Sequence, residues 1–253
     1  MIDDAGLEAA RDLLRAARSC VVLTGAGMSA ESGVPTFRDA LTGEWSRFDP
    51  MQLASREGFE ADPSFVWRWY RGRRERVMRV QPNAGHVALV GLERRFNPFV
   101  IVTQNVDGLH RRAGSTRVLE LHGNILRTKC LAECGVHIDG LDGLPPGEPP
   151  VCPACGRWLR PDVVWFGEML DPAVLEEAER LAGRCDVMLV VGTSGVVYPA
   201  AGLPYLAKRQ GARVILVNPN PSDLDDCADI RLAGTAANTL PRLLAATSKG
   251  VAT

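Results

Sequence analysis

Two close pairs of cysteines are the sequence feature that most constrains this chain. Cys130 and Cys134 form one pair, and Cys152 and Cys155, within the sequence CPACG, form the other. Short loops between paired cysteines allow four thiolates to converge tetrahedrally on one ion, as in a zinc ribbon. Two disulfides or four unrelated buried thiols are the alternatives, but nothing in the chain is typical of a secreted protein. We therefore predict one structural zinc, and a surface position for His137, which lies between the pairs.

Length and charge limit the classes of function. The 253 residues are enough to bury a full core and fit one large domain with a small inserted module. The 29 basic residues nearly balance the 30 acidic ones, which argues against a dedicated nucleic-acid binder. No apolar run is long enough to span a bilayer, and the first residues lack the apolar core of a signal peptide. We therefore expect a cytoplasmic protein with no membrane partner.

Strand-like apolar runs alternate with helical patterns along most of the chain. The runs are SCVVLT, FVIVTQ, VLEL, DVMLVV and RVILVN. Helical patterns cover 172–183, 199–210 and 235–246, and helix-start signals stand at Asp62 and Asn83. This alternation predicts an α/β fold: a Rossmann-like, mostly parallel sheet with helices on both faces. The cysteine pairs interrupt the alternation between VLEL and PDVVWF, where we place a small inserted zinc-ribbon module.

A glycine-rich turn, GAGMSAESG, follows the first predicted strand. It places Gly25 and Gly27 before a predicted helix start at Ser29, where backbone N–H groups and the helix dipole suit a pyrophosphate. A dehydrogenase would continue into a second strand with an acidic ribose ligand, whereas this chain continues through the loop GVPTFRDALTGEW. Arg38 in this loop is a candidate phosphate or ribose contact, and Phe37 a candidate cover for a leaving ring. A solvated arginine and a core phenylalanine are the alternatives.

The order of these motifs resembles that of the sirtuins, the NAD-consuming protein deacylases. The shared motifs are GAGMSAESGVPTFRD, TQNVDGLH, LHGN, the paired cysteines, GTS and VNPN, and the resemblance covers roughly residues 8–246. It implies a large domain (about 1–34, 82–124 and 162–253) and a small domain made of a helical insertion (about 35–81) and a zinc ribbon (about 125–161). The gap of three residues in Cys130 to Cys134 is wider than usual in the family, which should matter little for zinc.

The resemblance implies that NAD is bound as a cosubstrate and consumed. Asn105 and Asp107 would hold the carboxamide and a water of the nicotinamide pocket, and Gln104 would reach the ribose, at a strand end where open α/β sheets bind ligands. Turn propensity alone is an alternative explanation of the NVDG sequence. The expected NAD contacts are Gly25, Ala26, Gly27, Ser29, Glu31, Phe37, Arg38, Gln104, Asn105, Asp107, Gly192, Thr193, Ser194, Asn218, Asn220 and Ala236.

His122, in the motif LHGN, is the expected general base. In the chemistry that the resemblance implies, the acyl-lysine carbonyl oxygen attacks C1′ of the nicotinamide ribose, nicotinamide leaves, and a base then activates a ribose hydroxyl. Neutral imidazole suits this work near pH 7. For a lone histidine a structural role would be the better interpretation, but the place of His122 in the motif order reverses that. The products would be nicotinamide, O-acyl-ADP-ribose and free lysine.

Tyr70 and Arg73 lie three residues apart on a predicted helix and so share one face. The sirtuin branch that removes succinyl and malonyl groups carries Tyr-x-x-Arg at this place. A buried carboxylate needs a charge-assisted partner, which arginine supplies as a planar fork and tyrosine supplements with a hydroxyl. The alternative is a solvated arginine-rich helix face with a core tyrosine. The other expected substrate contacts are Ala40, which leaves room for a longer acyl chain, and Phe166, Gly167 and Val196, which resemble strips that hold an extended peptide.

We therefore expect a monomeric NAD-dependent protein-lysine deacylase that removes succinyl or malonyl groups, and also acetyl, from acylated lysines of proteins. A general deacetylase stays open. A mono-ADP-ribosyltransferase also stays open, although it would leave Tyr70 and Arg73 without an acyl carboxylate to bind. A noncatalytic NAD-sensing zinc module is the alternative from another class, but it would not need a base such as His122. A dehydrogenase is least compatible, because the acidic ribose ligand and the second strand are missing.

Overall fold

The computed structural model describes residues 4–34 and 49–245, and this part of the chain contains two sheets. The strands are β1 (Cys20–Thr24), β2 (Phe99–Thr103), β3 (Val118–Glu120), β4 (Gly123–Cys130), β5 (His137–Asp139), β6 (Leu159–Val163), β7 (Val187–Val191), β8 (Arg213–Val217) and β9 (Ile230–Leu232). The helices are α1 (Asp4–Ala16), α2 (Pro50–Leu53), α3 (Arg56–Ala61), α4 (Pro63–Arg79), α5 (Ala84–Glu93), α6 (Leu109–Ala113), α7 (Pro172–Ala182), α8 (Gly202–Arg209) and α9 (Ala236–Ala245).

The larger sheet has the strand order β3-β2-β1-β7-β8-β9, and all its neighbouring strands are parallel. β1, β2 and β7 are buried along their whole length, which explains their continuous apolar sequences. Successive residues of β1 face opposite sides: Val22 packs in the cluster under α1, α5 and α9, and Leu23 in the cluster under α7 and α8. Helices thus cover both faces, which confirms the predicted α/β fold.

The order of strand addition changes direction beside β1. β2 and β3 lie on one side of β1, whereas β7, β8 and β9 lie on the other. Open α/β sheets bind ligands beyond the carboxyl ends of the strands at such a switch point. The residues that follow Thr24, Thr103 and Val191 are therefore placed to form a site.

The smaller sheet is antiparallel, with the order β5-β4-β6, and α2, α3 and α4 pack against it. Phe59, Tyr70, Ile125 and Trp165 belong to the shared apolar cluster. The buried Arg74 side chain fixes α4 to β4, since its Nε donates to the Ile125 carbonyl at 2.6 Å and one Nη to the Arg127 carbonyl at 2.9 Å. The small sheet and the helical segment thus form one packed unit.

Most predicted element boundaries agree with the structure. α4 and α5 begin after Asp62 and Asn83, whose side chains accept hydrogen bonds from N–H groups of the first turn. α8 begins at Gly202, later than the predicted residue 199, and β9 was not predicted because three residues give little periodic signal. β6 crosses the expected border near 161, so the exact division into two domains stays a prediction.

No helix among residues 4–34 and 49–245 is both long and apolar enough to cross a membrane.

Candidate active site

Two strand-end turns pack backbone against backbone at the switch point. Gly27 N donates to the Gly192 carbonyl at 2.8 Å. A Cβ on Gly27 would lie 2.8 Å from Gly192 Cα, and a Cβ on Gly192 would lie 2.4 Å from Met28 N. Gly192 also has a φ of +61°, which favours glycine. The glycines of both motifs therefore allow the turns after β1 and β7 to pack in direct backbone contact.

The predicted helix start at Ser29 is wrong. The turn forms two three-residue 3₁₀ segments, Ala26–Met28 and Ala30–Ser32, and the second ends at Gly33 in the left-handed region. The left-handed glycine ends the segment before an α-helical turn can form. Ser29 is buried, and its hydroxyl accepts from Asn105 Nδ2 at 3.1 Å, so the side chain faces the end of β2.

Gln104, Asn105 and Asp107 follow β2 and connect it to neighbouring turns. Gln104 Nε2 donates to Thr193 Oγ1 at 3.0 Å, which joins the ends of β2 and β7. Asp107 is buried, and its carboxylate accepts from Leu109 N at 2.9 Å at the start of α6. Burial raises the pKa of Asp107, and this hydrogen bond opposes the shift. The sequence NVDG therefore does form a turn. The same segment also places the polar side chain of Gln104 at the switch point.

His122 lies in the short connection between β3 and β4, where the two sheets meet. Its Nδ1 lies 3.0 Å from the Gln104 carbonyl oxygen. Because a carbonyl only accepts, Nδ1 carries the proton, and Nε2 keeps the lone pair that a base needs. Burial lowers the pKa of His122, and the hydrogen bond to Gln104 opposes this shift. The neutral, base-competent form therefore predominates at pH 7.

Two buried histidines beside the site were missed by the sequence analysis. The His86 and His110 rings lie 4.9 Å apart, and His86 Nε2 lies 3.5 Å from Ser29 Oγ. His110 Nε2 lies 2.9 Å from Thr24 Oγ1. Burial lowers the pKa of His86 to about 4 and that of His110 to about 3. A histidine three residues after the Asn83 helix start is a capping-box signal that would have indicated His86.

The expected adenosine contacts lie at the ends of β7, β8 and α9. Asn218 Nδ2 donates to the Thr193 carbonyl at 3.1 Å, whereas Ser194 and Asn220 are exposed. The Glu31 carboxylate accepts from Ala237 N at 2.8 Å, so it caps the first turn of α9 next to the buried Ala236. Ala26, between the two glycines, is exposed. The expected sites Phe37, Arg38 and Ala40 lie outside the described residues.

The segment after β6 lies between α4 and His122. Val164 N donates to the His122 carbonyl at 3.0 Å, and Trp165 Nε1 donates to the Tyr70 hydroxyl at 2.9 Å. Tyr70 and Trp165 are both buried. Arg73 Cζ lies 4.8 Å from the centroid of the Trp69 ring. Burial lowers the pKa of Arg73, and the neighbouring Tyr70 opposes this shift.

The expected peptide contacts present apolar surface. Phe166 and Val196 are each 49% exposed, which is high for such side chains. Phe166 N donates to the Ala54 carbonyl at 2.8 Å, and Gly167 has a φ of +82°, so the chain turns directly after Phe166.

The four paired cysteines converge as predicted, with all their sulfurs within 4.8 Å of one another. Cys130 Sγ and Cys155 Sγ lie 3.4 Å apart, and Cys134 Sγ and Cys152 Sγ lie 3.6 Å apart. Four sulfurs bound to zinc at 2.3 Å would be about 3.8 Å apart, so the cluster fits a structural zinc. The three-residue gap is accommodated because Glu133 adopts a left-handed conformation. His137 is exposed, as predicted.

A parallel sheet with a candidate site at its switch point and a four-cysteine module beside it define this α/β protein. Comparison with known proteins identifies the family. The Sir2 family matches residues 25–199, which is more than half of the chain. The NAD-dependent protein deacylase of Ralstonia nicotianae is 55% identical over 245 residues, which cover 96% of this chain and 98% of that protein.

Solved structures that resemble this chain are also Sir2 proteins. A Sir2 homologue in complex with NAD is 43% identical with a TM-score of 0.88, and the match covers 96% of this chain and 94% of the other. Sir2Tm bound to a propionylated peptide is 31% identical with a TM-score of 0.82, covering 96% and 99%. The chain therefore belongs to the Sir2 family.

Proposed function

We propose that this chain, an NAD-dependent protein deacylase of the Sir2 family, prefers lysines that carry negatively charged acyl groups such as succinyl or malonyl. Acetyl groups would be removed as well, and the products would be nicotinamide, O-acyl-ADP-ribose and free lysine. The observation that carries this proposal is Tyr70, one turn before Arg73 on α4, which is bonded to the segment that also contacts His122.

Contacts along one segment support an acyl pocket at this place. Val164 N donates to the His122 carbonyl, and the next residue, Trp165, donates to the Tyr70 hydroxyl. The phenol of Tyr70 and the backbone of His122 are thus bonded to adjacent residues of one short segment. A lysine-linked acyl chain whose carbonyl lies near His122 would therefore extend toward the helix that carries Tyr70 and Arg73.

The charge of Arg73 supports a carboxylate as the group that it binds. Burial disfavours the charged guanidinium, as the lowered pKa of Arg73 indicates. An acyl carboxylate would add charge-assisted hydrogen bonds to this guanidinium, whereas an acetyl group would not. Arg74, the next residue, donates to backbone carbonyls of β4 and so serves the fold. Arg73 is the arginine that we propose for the acyl carboxylate.

His122 is proposed as the general base of the reaction. The hydrogen bond from Nδ1 to the Gln104 carbonyl leaves Nε2 as the atom that would take a proton from a ribose hydroxyl. NAD, the cosubstrate, supplies the ribosyl carbon that receives the acyl oxygen. The backbone of Gly25–Gly27 and Gly192 would approach its phosphates, and Ser29, Asn105 and Asp107 would contact its nicotinamide.

The protein substrate is proposed to bind as an extended peptide between 166–167 and 196. The exposed apolar side chains of Phe166 and Val196 support this, and backbone pairing tolerates varied sequences. We also propose that the chain acts as a monomer, with a large domain around the parallel sheet and a small domain around the zinc site.

Product masses test this function. The purified protein is incubated with NAD and with peptides that differ only in carrying acetyl-lysine or succinyl-lysine. We expect free-lysine peptide, nicotinamide and O-succinyl-ADP-ribose, formed faster than the acetyl product. ADP-ribose attached to protein in place of acyl transfer would favour a mono-ADP-ribosyltransferase. NAD bound but not consumed would favour a sensing module, and equal rates on both peptides would favour a general deacetylase.

A further inference from the structure

We propose that Trp165 is a positioning residue for acyl selectivity. Its indole N–H would hold the oxygen of Tyr70 so that the phenolic proton is directed to the carboxylate of the substrate. This inference rests on the proposed preference for charged acyl groups, and it assigns to Trp165 a part of that preference.

The hydrogen bond between these side chains has one possible direction. Trp165 Nε1 lies 2.9 Å from the Tyr70 oxygen, and both side chains are buried. An indole N–H can only donate, so the tyrosine oxygen accepts. The proton of the phenol must then point away from Trp165, and it is available for another acceptor. A carboxylate beside Arg73 would be such an acceptor.

Tyr70 keeps this proton near neutral pH. Burial raises its pKa, and the neighbouring Arg73 opposes the shift without reversing it. A neutral phenol donates to a carboxylate, whereas a phenolate would repel one. Tyr70 and Arg73 would therefore offer two donors of different kinds to the same carboxylate.

The Trp165 ring is held on several sides. Arg160 Cζ lies 3.4 Å from its centroid, and Phe59 packs against it with a centroid distance of 5.3 Å. Its backbone N–H donates to Glu168 at 2.8 Å, and Glu168 in turn accepts from both terminal nitrogens of Arg160. The indole N–H is thus fixed before substrate binds. A phenylalanine would keep one aromatic ring at this buried position and would lose the N–H together with part of the ring volume, so the substitution needs a control for that lost volume.

The selectivity effect follows from this arrangement. Without the indole N–H, the Tyr70 hydroxyl loses the donor that sets its orientation and can turn to other acceptors. The hydrogen bond to a charged acceptor would then be weakened. Acetyl-lysine has no carboxylate at this position, so its turnover would not depend on the direction of the phenol.

A double-mutant cycle tests the inference. Trp165→Phe, Tyr70→Phe and the double variant are compared with wild type on matched succinyl-lysine and acetyl-lysine peptides at saturating NAD. Trp67→Phe, which changes a different buried tryptophan, on α4, is the control for loss of an indole. We expect kcat/KM for succinyl-lysine to fall about tenfold in Trp165→Phe, while that for acetyl-lysine stays within about threefold.

The double variant gives the decisive result. If Trp165 acts through Tyr70, the double variant loses no more succinyl activity than Tyr70→Phe alone. Equal losses on both peptides, or effects that multiply in the double variant, would overturn the inference while the proposed function stands. A wild-type enzyme without preference for succinyl-lysine would instead overturn the proposed function, and this inference with it.

Discussion

The proposed site has a cofactor side and an acyl side, and different kinds of residues form them. On the cofactor side, at the ends of β1, β2 and β7, glycine backbone and small neutral side chains such as Ser29 and Asn105 meet two histidines that burial keeps uncharged. On the acyl side, between α4 and the segment after β6, long side chains dominate: Arg73 is partly buried, and Arg160 is buried against Trp165.

This difference separates two tasks. Backbone and neutral groups suit phosphates and an amide, which every substrate complex of the reaction would share. We propose that Arg73 discriminates between acyl chains by charge, because an uncharged chain offers its guanidinium no carboxylate. Changes on the cofactor side should therefore alter the rate on all acyl groups equally. Changes on the acyl side should alter the ratio between them.

Removal of the zinc site should have the largest effect, because the acyl side rests on the small sheet. In Cys152→Ala three thiolates remain around a metal whose binding energy is partly folding energy. We expect loss of bound zinc, measured by elemental analysis, together with loss of soluble protein. Cys227→Ala, at a buried cysteine outside the cluster, is the control. A wild-type protein without zinc, or a Cys152→Ala variant with full stability, would contradict the assignment.

Loss of the proposed base should have the second largest effect, and it should lower activity on all acyl substrates alike. We expect His122→Ala to lower kcat by about 10²–10⁴-fold on both acetyl and succinyl peptides, while NAD binding persists. The exposed His137→Ala is the matched control. A near-normal kcat in His122→Ala, or a change confined to one acyl group, would show that His122 does not serve the shared chemistry.

Arg73→Met should change the ratio of succinyl-lysine to acetyl-lysine activity without slowing the reaction on both peptides. An unpaired buried carboxylate costs about 2–5 kcal/mol, so kcat/KM for succinyl-lysine should fall at least about tenfold. Acetyl-lysine turnover should stay within a few-fold or rise. Arg76→Met, at an exposed arginine of the same helix, should leave both unchanged. If both activities fall in equal proportion in Arg73→Met, the residue serves the fold or the cofactor side.

The histidines of the cofactor side should make stability depend on pH. The pKa values of His86 and His110 are lowered to about 4 and about 3, below the usual value of about 6.5. The unfolded chain therefore binds more protons below pH 6.5, and the stability that is full above this pH is lost toward pH 4. We expect about 2 kcal/mol of destabilisation per histidine at pH 5, measured by urea unfolding.

Variants identify the source of this slope. His110→Gln should lower the dependence of the unfolding free energy on pH by about 1.4 kcal/mol per unit between pH 5 and 6. His137→Gln, at an exposed position, should leave it unchanged. An unchanged slope in His110→Gln would mean that the buried histidines do not stay neutral.

The sequence predicted features that depend on local pattern. Five of the six strands of the parallel sheet were predicted, because continuous apolar runs mark buried strands. The convergence of the cysteines was predicted from their spacing. The starts of α4 and α5 were predicted from capping residues. The prediction of a helix start at Ser29 was wrong because a glycine-rich turn after a strand can also continue as short 3₁₀ segments.

Features that join distant parts of the chain were not predictable in this way. Thr24 and His110 meet through the packing of β1 and α6, and Trp165 meets Tyr70 across 95 positions of sequence. Arg74 looked like its exposed neighbours on α4, and only the docking of β4 makes it structural. Buried polar contacts of this kind have no sequence period, because they depend on which elements become neighbours.

A neutral analogue of succinyl-lysine tests most directly whether the acyl side recognises the negative charge of the acyl group. The wild-type enzyme is given two matched peptides, one with succinyl-lysine and one with its terminal amide, which has nearly the same size and no charge. We expect kcat/KM to be at least about tenfold higher for the succinyl peptide, since only it offers a carboxylate to Arg73 and Tyr70. Equal values would show that the pocket selects length, and the separation of charge recognition from shared chemistry would be contradicted.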